Sequence, residues 1–221
     1  MYRAVLFDMD GVLLDTEVLG LQAISQIAAE MGYTVDLALY RRTLGVPNAE
    51  CGQIYRDALG AEYPYETTME RFRAYFLEFS RTRALPRKEG LMDCLTGLKA
   101  RGLRLVLATS TVRPLVEEYF AAMPDVAALF DGKVCGGEVP HGKPAPDMYV
   151  QAARVAGFAP ADCVGVEDSL SGVRAVRASG AYSVMIPDLL PYGEAARPHV
   201  DVCLTSLTEL CPLIDRLNAQ T

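Results

Sequence analysis

Ala4-Val5-Leu6-Phe7-Asp8-Met9-Asp10-Gly11-Val12-Leu13 is the stretch that decides the fold. Its apolar opening, Ala4 to Phe7, has the length and content of a strand buried on both faces, and it runs directly into two carboxylates at i and i+2 followed by a glycine. An open α/β sheet binds its ligand at the carboxyl ends of its strands, so Asp8 and Asp10 stand where such a sheet puts its chemistry. An Asp-x-Asp-Gly tetrapeptide is unremarkable alone. Its weight comes from the strand it ends and from what the rest of the chain sends to the same edge.

Downstream of about Gly90, helical and strand patterns alternate. Amphipathic spacing predicts helices near Leu91 to Ala100, Pro114 to Met123, Pro146 to Ala156 and Leu170 to Ala178, the last closed by Gly180. Apolar runs predict strands at Leu103 to Ala108, Lys133 to Cys135, Cys163 to Val166, Tyr182 to Ile186 and Val202 to Leu204. Short apolar strands separated by such helices specify an α/β fold with a doubly wound parallel sheet, a Rossmann-like core. Ser206-Leu207-Thr208-Glu209 reads as a capping box opening a last helix.

Residues 15–85 read differently. Leu21, Ile24, Ala28 and Met31, then Phe72, Tyr75, Phe76 and Phe79, follow helical spacing, and no strand run interrupts them. The expected organisation is a core of residues 1–14 and 86–221 with an all-helical cap, 15–85, inserted after the first strand and covering its carboxyl end like a lid. Nine of the eighteen aromatic residues fall in this segment, and most are expected to form its own core.

The 221 residues, 51% of them apolar, suffice for one large domain or one domain carrying an insert. No apolar run reaches the roughly 18 residues of a membrane span, and no charged-then-apolar leader is read ahead of the first strand, so a soluble, cytoplasmic protein without a membrane partner is expected. With 28 acidic against 21 basic residues and a net charge of −7, no basic stripe is available for a phosphate backbone, which argues against nucleic acid as a partner. Cys51, Cys94, Cys135, Cys163, Cys203 and Cys211 form no C-x-x-C pair and mostly lie in apolar stretches, such as Asp162-Cys163-Val164 and Val202-Cys203-Leu204. They are expected as buried free thiols in a reducing compartment. His141 and His199 are isolated and belong on the surface or in loops. With no long apolar stripe outside the expected core, a monomer is the default.

Four groups stand at or just past expected strand ends: Asp8 with Asp10; Thr109-Ser110-Thr111; Lys143 in Gly142-Lys143-Pro144; and Glu167-Asp168. Parallel strands bring their carboxyl ends to one edge, so the first, second and fourth converge. Each has an ordinary reading by itself: a turn at Asp10-Gly11, helix caps at Thr109 or Ser110 and at Asp168, a solvated loop lysine at 143. Four such coincidences in one layout are better explained by chemistry. Crowded carboxylates need a hard cation to stay ionised, and Mg²⁺ suits an all-oxygen donor set. One Asp can then attack phosphorus in line and carry an aspartyl phosphate, while a second protonates the leaving alkoxide and later deprotonates the hydrolytic water. The lysine and the Thr109-Ser110-Thr111 hydroxyl and N–H donors bind the transferring group. The chain has only four lysines, Lys88, Lys99, Lys133 and Lys143, which adds weight to the one in this constellation.

Over essentially its whole length the chain resembles the haloacid dehalogenase superfamily, and within it the phosphatases with a helical cap after the first strand and the β-phosphoglucomutases. The resemblance rests on Asp8-Met9-Asp10-Gly11-Val12-Leu13-Leu14-Asp15-Thr16-Glu17, Thr109-Ser110, Gly142-Lys143-Pro144-Ala145-Pro146-Asp147 and Glu167-Asp168-Ser169-Leu170-Ser171-Gly172. It implies Asp8 as nucleophile, Asp10 as general acid/base, Thr109 and Lys143 as the phosphoryl-binding pair and Asp168 as a Mg²⁺ ligand. Glu167 is implied as a direct or water-mediated ligand, and Asp10 as one through its backbone carbonyl. Asp10 argues against dehalogenation, which has no leaving alkoxide to protonate. The absence of any lysine between Asp15 and Leu85 argues against the phosphonatases, which use a cap lysine. β-Phosphoglucomutases carry a cap His and Arg where this chain aligns Gly20 and Asn48, so hydrolysis of a small phosphorylated metabolite, a sugar or nucleoside monophosphate, is favoured over phosphoryl transfer between hydroxyls. A binding module that kept the fold would be marked by loss of Asp8, Asp10 or Lys143, and all three are present. The cap face near Arg41, Arg42, Gly45, Val46 and Asn48 is expected to help choose the substrate.

Overall fold

In a computed structural model, β1 (Ala4–Phe7) is buried along its whole length at the centre of a six-stranded parallel sheet. Residues 1–44, 46, 48–83 and 85–220 are described; for Asn48 and Ala49 this extends to the backbone alone. Four helices follow β1: α1 (Thr16–Glu30), α2 (Leu37–Arg41), α3 (Asn48–Leu59) and α4 (Tyr65–Thr82). The chain then returns through α5 (Leu91–Ala100), β2 (Arg104–Val112), α6 (Arg113–Ala122), α7 (Pro124–Ala127), β3 (Gly132–Gly136) and α8 (Asp147–Ala156). It ends with β4 (Cys163–Glu167), α9 (Leu170–Ser179), β5 (Tyr182–Met185), β6 (Val202–Cys203) and α10 (Leu210–Ala219). Strand order is β3-β2-β1-β4-β5-β6, the doubly wound order, with β1 between β2 and β4.

Register explains the two-sided burial. Val5 pairs with Leu105 and Val164, and Phe7 with Leu107 and Val166, so these residues share one face, where they meet Leu95 and Leu98 of α5, Val116 and Phe120 of α6 and Leu213 of α10. Ala4 and Leu6 point the other way, onto Met148, Tyr149 and Ala152 of α8 and Val176 of α9. Each fully buried Val, Leu or Phe contributes roughly 1.5–3 kcal/mol, and the period-2 alternation assigns every one of them to one helical layer or the other.

The helical insert has its own core, in which Ile24, Val35, Leu39, Tyr40, Tyr55, Tyr63 and Tyr65 cluster and Tyr55 stacks between Tyr63 and Tyr65 at 5.5 and 5.6 Å. It is not sealed from the sheet domain, because Leu19 and Ala23 of α1 and Phe76 of α4 belong to the same cluster as Phe7 and Phe120. The two linkers pair as a short antiparallel ladder: Asp15 N donates to Pro86 O at 2.8 Å and Lys88 N to Leu13 O at 3.0 Å.

Three local expectations are corrected. β2 runs to Val112 instead of ending at Ala108, with an irregular register against β3 between Ala108 and Val112, because Thr109, Thr111 and Val112 are β-branched and extend the strand through a bulge. The Ser206 cap opens a 3₁₀ turn, Leu207–Glu209, where Ser206 Oγ accepts from Thr208 N at 3.2 Å while Glu209 reaches back to Thr205 N at 2.8 Å, one residue short of a capping box. Cys203 is exposed and Cys211 half-buried; the other four thiols are buried, and all six are free. Among the described residues no helix is long and apolar enough to cross a membrane.

Candidate active site

Asp8 directly follows β1, and its N–H donates to Val166 O of β4 at 3.0 Å, which ties the two acidic strand ends together. Gly11, at φ +80°, turns the chain back; a Cβ there would stand 2.3 Å from Asp168 Oδ2, so only glycine lets this turn approach β4 so closely. Lys143, on the loop between β3 and α8, places Nζ 2.5 Å from Asp8 Oδ1 and 2.6 Å from Glu167 Oε1. Asp8, Glu167 and Asp168 are 6%, 1% and 5% exposed.

Glu167 is the most heavily anchored of these groups. The Tyr149 hydroxyl donates to its Oε1 at 2.7 Å, Ser169 Oγ and Asp168 N donate to its Oε2 at 3.2 and 3.3 Å, and its carboxylate lies so close to α9 that a Cβ on Gly172 would be 1.9 Å from Cδ. Ser169, not Asp168, caps α9, accepting from Gly172 N at 3.1 Å. Asp10 has a different setting: Thr16 Oγ1 donates to Oδ1 at 2.7 Å and Thr111 Oγ1 to Oδ2 at 2.8 Å. Thr109 is buried and its Oγ1 accepts from Thr111 N at 3.0 Å, which leaves its own O–H free to donate.

Burial pushes the Asp8 carboxyl well above the ordinary range, against the pull of Lys143, and Glu167 and Asp10 add to the rise. Burial and the neighbouring Glu167 and Glu17 do the same to Asp168. Burial alone would depress Lys143, but Asp8 and Glu167 outweigh it and hold the ammonium protonated. Carboxylate oxygens of Asp8, Glu167 and Asp168 come within 4.8 Å of one another. One lysine faces three buried carboxylates, and an all-oxygen, net-negative donor set is what a hard divalent cation requires, so the site fits such an ion. Asp10's side chain is not in this cluster.

Asp8, Asp10, Thr109, Ser110, Lys143, Glu167 and Asp168, named from sequence, therefore line one cavity of about 420 Å³. Thr111 is turned to Asp10 and lines a second cavity of about 380 Å³ beneath the helical insert. The two share Asp10, Glu17 and Val46. Of the expected cap residues, Val46 lines both; Arg41 and Arg42 are exposed and line neither, while Gly45 and the Asn48 side chain lie outside the described residues. Sequence reasoning missed Tyr149, Thr16 as a clasp on Asp10, Tyr40 and Arg73 on the second cavity, and the group of Glu17, Asp168 and Asp188, whose carboxylates also come within 4.8 Å. Burial and Asp188 beside it raise Glu17 to about 7.

The family model of the haloacid dehalogenase-like hydrolases matches residues 2–180. The chain belongs to the haloacid dehalogenase-like hydrolases. This hydrolase is 35% identical over 183 residues to a phosphorylated carbohydrates phosphatase of Thermotoga maritima, covering 80% of this chain and 82% of that protein. It is 33% identical over 215 residues to a Drosophila melanogaster protein described as a probable pseudouridine-5'-phosphatase, covering 93% and 90%. A mutant of CbbY from Rhodobacter sphaeroides, solved with xylulose-(1,5)bisphosphate, superposes with a TM-score of 0.79 at 29% identity over 95% of this chain and 96% of that one. As a member of this family the chain is an enzyme, and the acidic cluster at the ends of β1 and β4 is the part of the fold equipped for hydrolysis.

Proposed function

We propose that this hydrolase is a Mg²⁺-dependent phosphomonoesterase of small phosphorylated metabolites, sugar or nucleoside monophosphates, acting through an aspartyl phosphate on Asp8. One observation carries the reading: two carboxylates two residues apart have opposite settings, Asp8 buried against Lys143 and Asp10 clasped by Thr16 and Thr111 at the junction of two cavities. Two titratable groups in distinct environments is how one site divides nucleophile from acid. The relatives act on phosphorylated carbohydrates and pseudouridine 5'-phosphate by their descriptions, which agrees with this class of substrate.

Asp8, Asp168 and Glu167, with the Asp10 main-chain carbonyl, are the residues that would hold the cation. Bound there, Mg²⁺ offsets the carboxylate charge and withdraws electrons from a phosphoryl oxygen. A carboxylate oxygen of Asp8 attacks phosphorus as the ester P–O bond breaks, and Asp10 gives its proton to the departing alkoxide. Asp10, now a carboxylate, takes a proton from water; that water attacks phosphorus, inorganic phosphate leaves and Asp8 is regenerated. Lys143 compensates charge on the transferring oxygens, and the free O–H of Thr109 with the Ser110 donors binds them. Mutase chemistry is disfavoured by position 20, where glycine carries no group to exchange a proton with a second hydroxyl.

The test is phosphate release from a panel of sugar and nucleoside monophosphates with Mg²⁺ and with EDTA, including glucose 1-phosphate with a coupled assay for glucose 6-phosphate. Metal-dependent release that disappears in Asp8→Asn is expected. Glucose 6-phosphate formed without phosphate release would replace hydrolysis by the mutase reading.

A further inference from the structure

Tyr40, near the end of α2, is only 9% exposed, and its ring packs with Leu39 and Tyr55 in the helical insert. Its hydroxyl hydrogen-bonds to no other described residue, and unlike that of Tyr63 it is not sealed from solvent. The residue lines the 380 Å³ cavity that Asp10 and Glu17 also line. Burial first, then the charges of Glu17 and Asp10 among its neighbours, keep the phenol protonated, so it is a donor. Gly20 of α1 makes this seat possible. A Cβ built on Gly20 would stand 2.3 Å from the Tyr40 hydroxyl oxygen and 3.3 Å from its Cζ, with Phe72 Cζ at 3.5 Å. The phenol tip thus occupies the space that any other residue at 20 would fill.

We propose that Tyr40, seated over Gly20, is a specificity-determining residue that donates a hydrogen bond to an oxygen of the substrate's leaving alcohol and so selects polyhydroxylated leaving groups, as in a sugar phosphate. The inference rests on the phosphomonoesterase reading: with Asp10 protonating the leaving oxygen, the rest of the alcohol extends into the cavity past Glu17 and Tyr40. Because the hydroxyl reaches solvent in the cavity, a substrate oxygen exchanges there for water, and a ring already fixed by packing makes that hydrogen bond without ordering a side chain. Hydroxyl groups both accept and donate, so adjacent ones on one sugar satisfy the Tyr40 phenol and the Glu17 carboxylate together. An alkyl leaving group satisfies neither, and a p-nitrophenyl group offers only the weakly accepting nitro oxygens at its far end.

The experiment measures kcat/KM with Mg²⁺ for glucose 6-phosphate, ribose 5-phosphate and p-nitrophenyl phosphate in the wild type, Tyr40→Phe, Gly20→Ala and the double variant. Tyr40→Phe is expected to lower the value for the better sugar phosphate about three- to tenfold more than that for p-nitrophenyl phosphate, the effect of one lost hydrogen bond. Gly20→Ala should mimic it by displacing the hydroxyl. In the double variant the 2.3 Å contact is gone and the nearest ring atom is Cζ at 3.3 Å, which a shift of a few tenths of an ångström relieves, so the loss should stay close to that of Tyr40→Phe. Parallel losses on both substrate types, or none, overturn the inference, as does a wild type that turns over p-nitrophenyl phosphate and neither sugar phosphate. A wild type inactive on these three and on nucleoside monophosphates overturns the phosphomonoesterase reading itself, and one active on nucleoside monophosphates alone overturns only the inference, which separates the two failures. If Gly20→Ala does not fold by circular dichroism, Tyr40→Phe alone decides.

Discussion

Lys143→Met keeps most of the side chain's bulk and removes its charge. Nζ contacts Asp8 at 2.5 Å and Glu167 at 2.6 Å, and the three side chains are 6%, 9% and 1% exposed. At such separations and an effective dielectric constant of about 20, each attraction is on the order of 6 kcal/mol, much of which offsets the cost of taking the ions out of water. Removing one partner of a buried pair costs about 3–5 kcal/mol net. Asp8 escapes part of this by taking up a proton, since burial already holds its carboxyl well above the ordinary range, so the lower end, about 3 kcal/mol, is expected in EDTA at pH 7.5. For a chain of this size each kcal/mol moves Tm by roughly 2–4 °C, giving a fall of about 6–12 °C by thermal circular dichroism. The gap to wild type should narrow as pH falls from 7.5, because a protonated Asp8 has no charge left to pair. A fall under about 2 °C, or a gap that widens as pH falls, would refute the idea that Lys143 holds the carboxylate cluster together.

Asp10→Asn should lower kcat/KM on a sugar phosphate by about a hundredfold or more and clearly less on p-nitrophenyl phosphate, whose leaving group scarcely needs a proton; equal losses would remove Asp10 as the acid. Gly172→Ala forces a methyl to within 2.1 Å of both Glu167 oxygens, so Glu167 must leave Tyr149 and Lys143, with activity lost and stability reduced by about 3 kcal/mol in urea titrations. In EDTA, Asp8, Asp168 and Glu17 have raised folded-state pKa values, so their stabilising contribution is complete below the ordinary carboxylate value and is lost as pH rises through the folded ones, about 7 for Glu17. Glu117 and Glu138, held low by Lys133 and Arg113, act in the opposite sense only below about pH 4.5. Tm in EDTA should therefore fall from pH 5 to pH 8, and a rise would contradict the assignment.

Much of this was legible in the sequence, for identifiable reasons. Two-sided burial makes β1 and β4 continuous apolar runs, and their ends deliver Asp8 and Glu167-Asp168 to one edge. Gly180, in the left-handed conformation at the end of α9, stops that helix as its position foretold. Thr109 to Val112 were not legible as strand, because polar β-branched residues extend a strand only where a neighbour, here β3 across a bulge, supplies pairing. The clasp on Asp10 joins residues 6 and 101 positions away, and the hold on Glu167 uses Tyr149, which reads in sequence as an ordinary core aromatic of α8. Arg73 and Tyr40 were missed for a related reason: helical periodicity says which face is covered, not which cavity a residue lines. The arginines that sequence did select, Arg41 and Arg42, point to solvent.

The central claim is that Asp8 carries the phosphoryl group. The direct measurement is mass spectrometry of the peptide containing residue 8 after turnover is quenched with borohydride, which reduces an acyl phosphate to the alcohol. Conversion of Asp8 to homoserine, dependent on both phosphorylated substrate and Mg²⁺ and absent in unreacted enzyme, is predicted; an unmodified Asp8 in enzyme that is turning over, or modification at another carboxylate, would contradict the account.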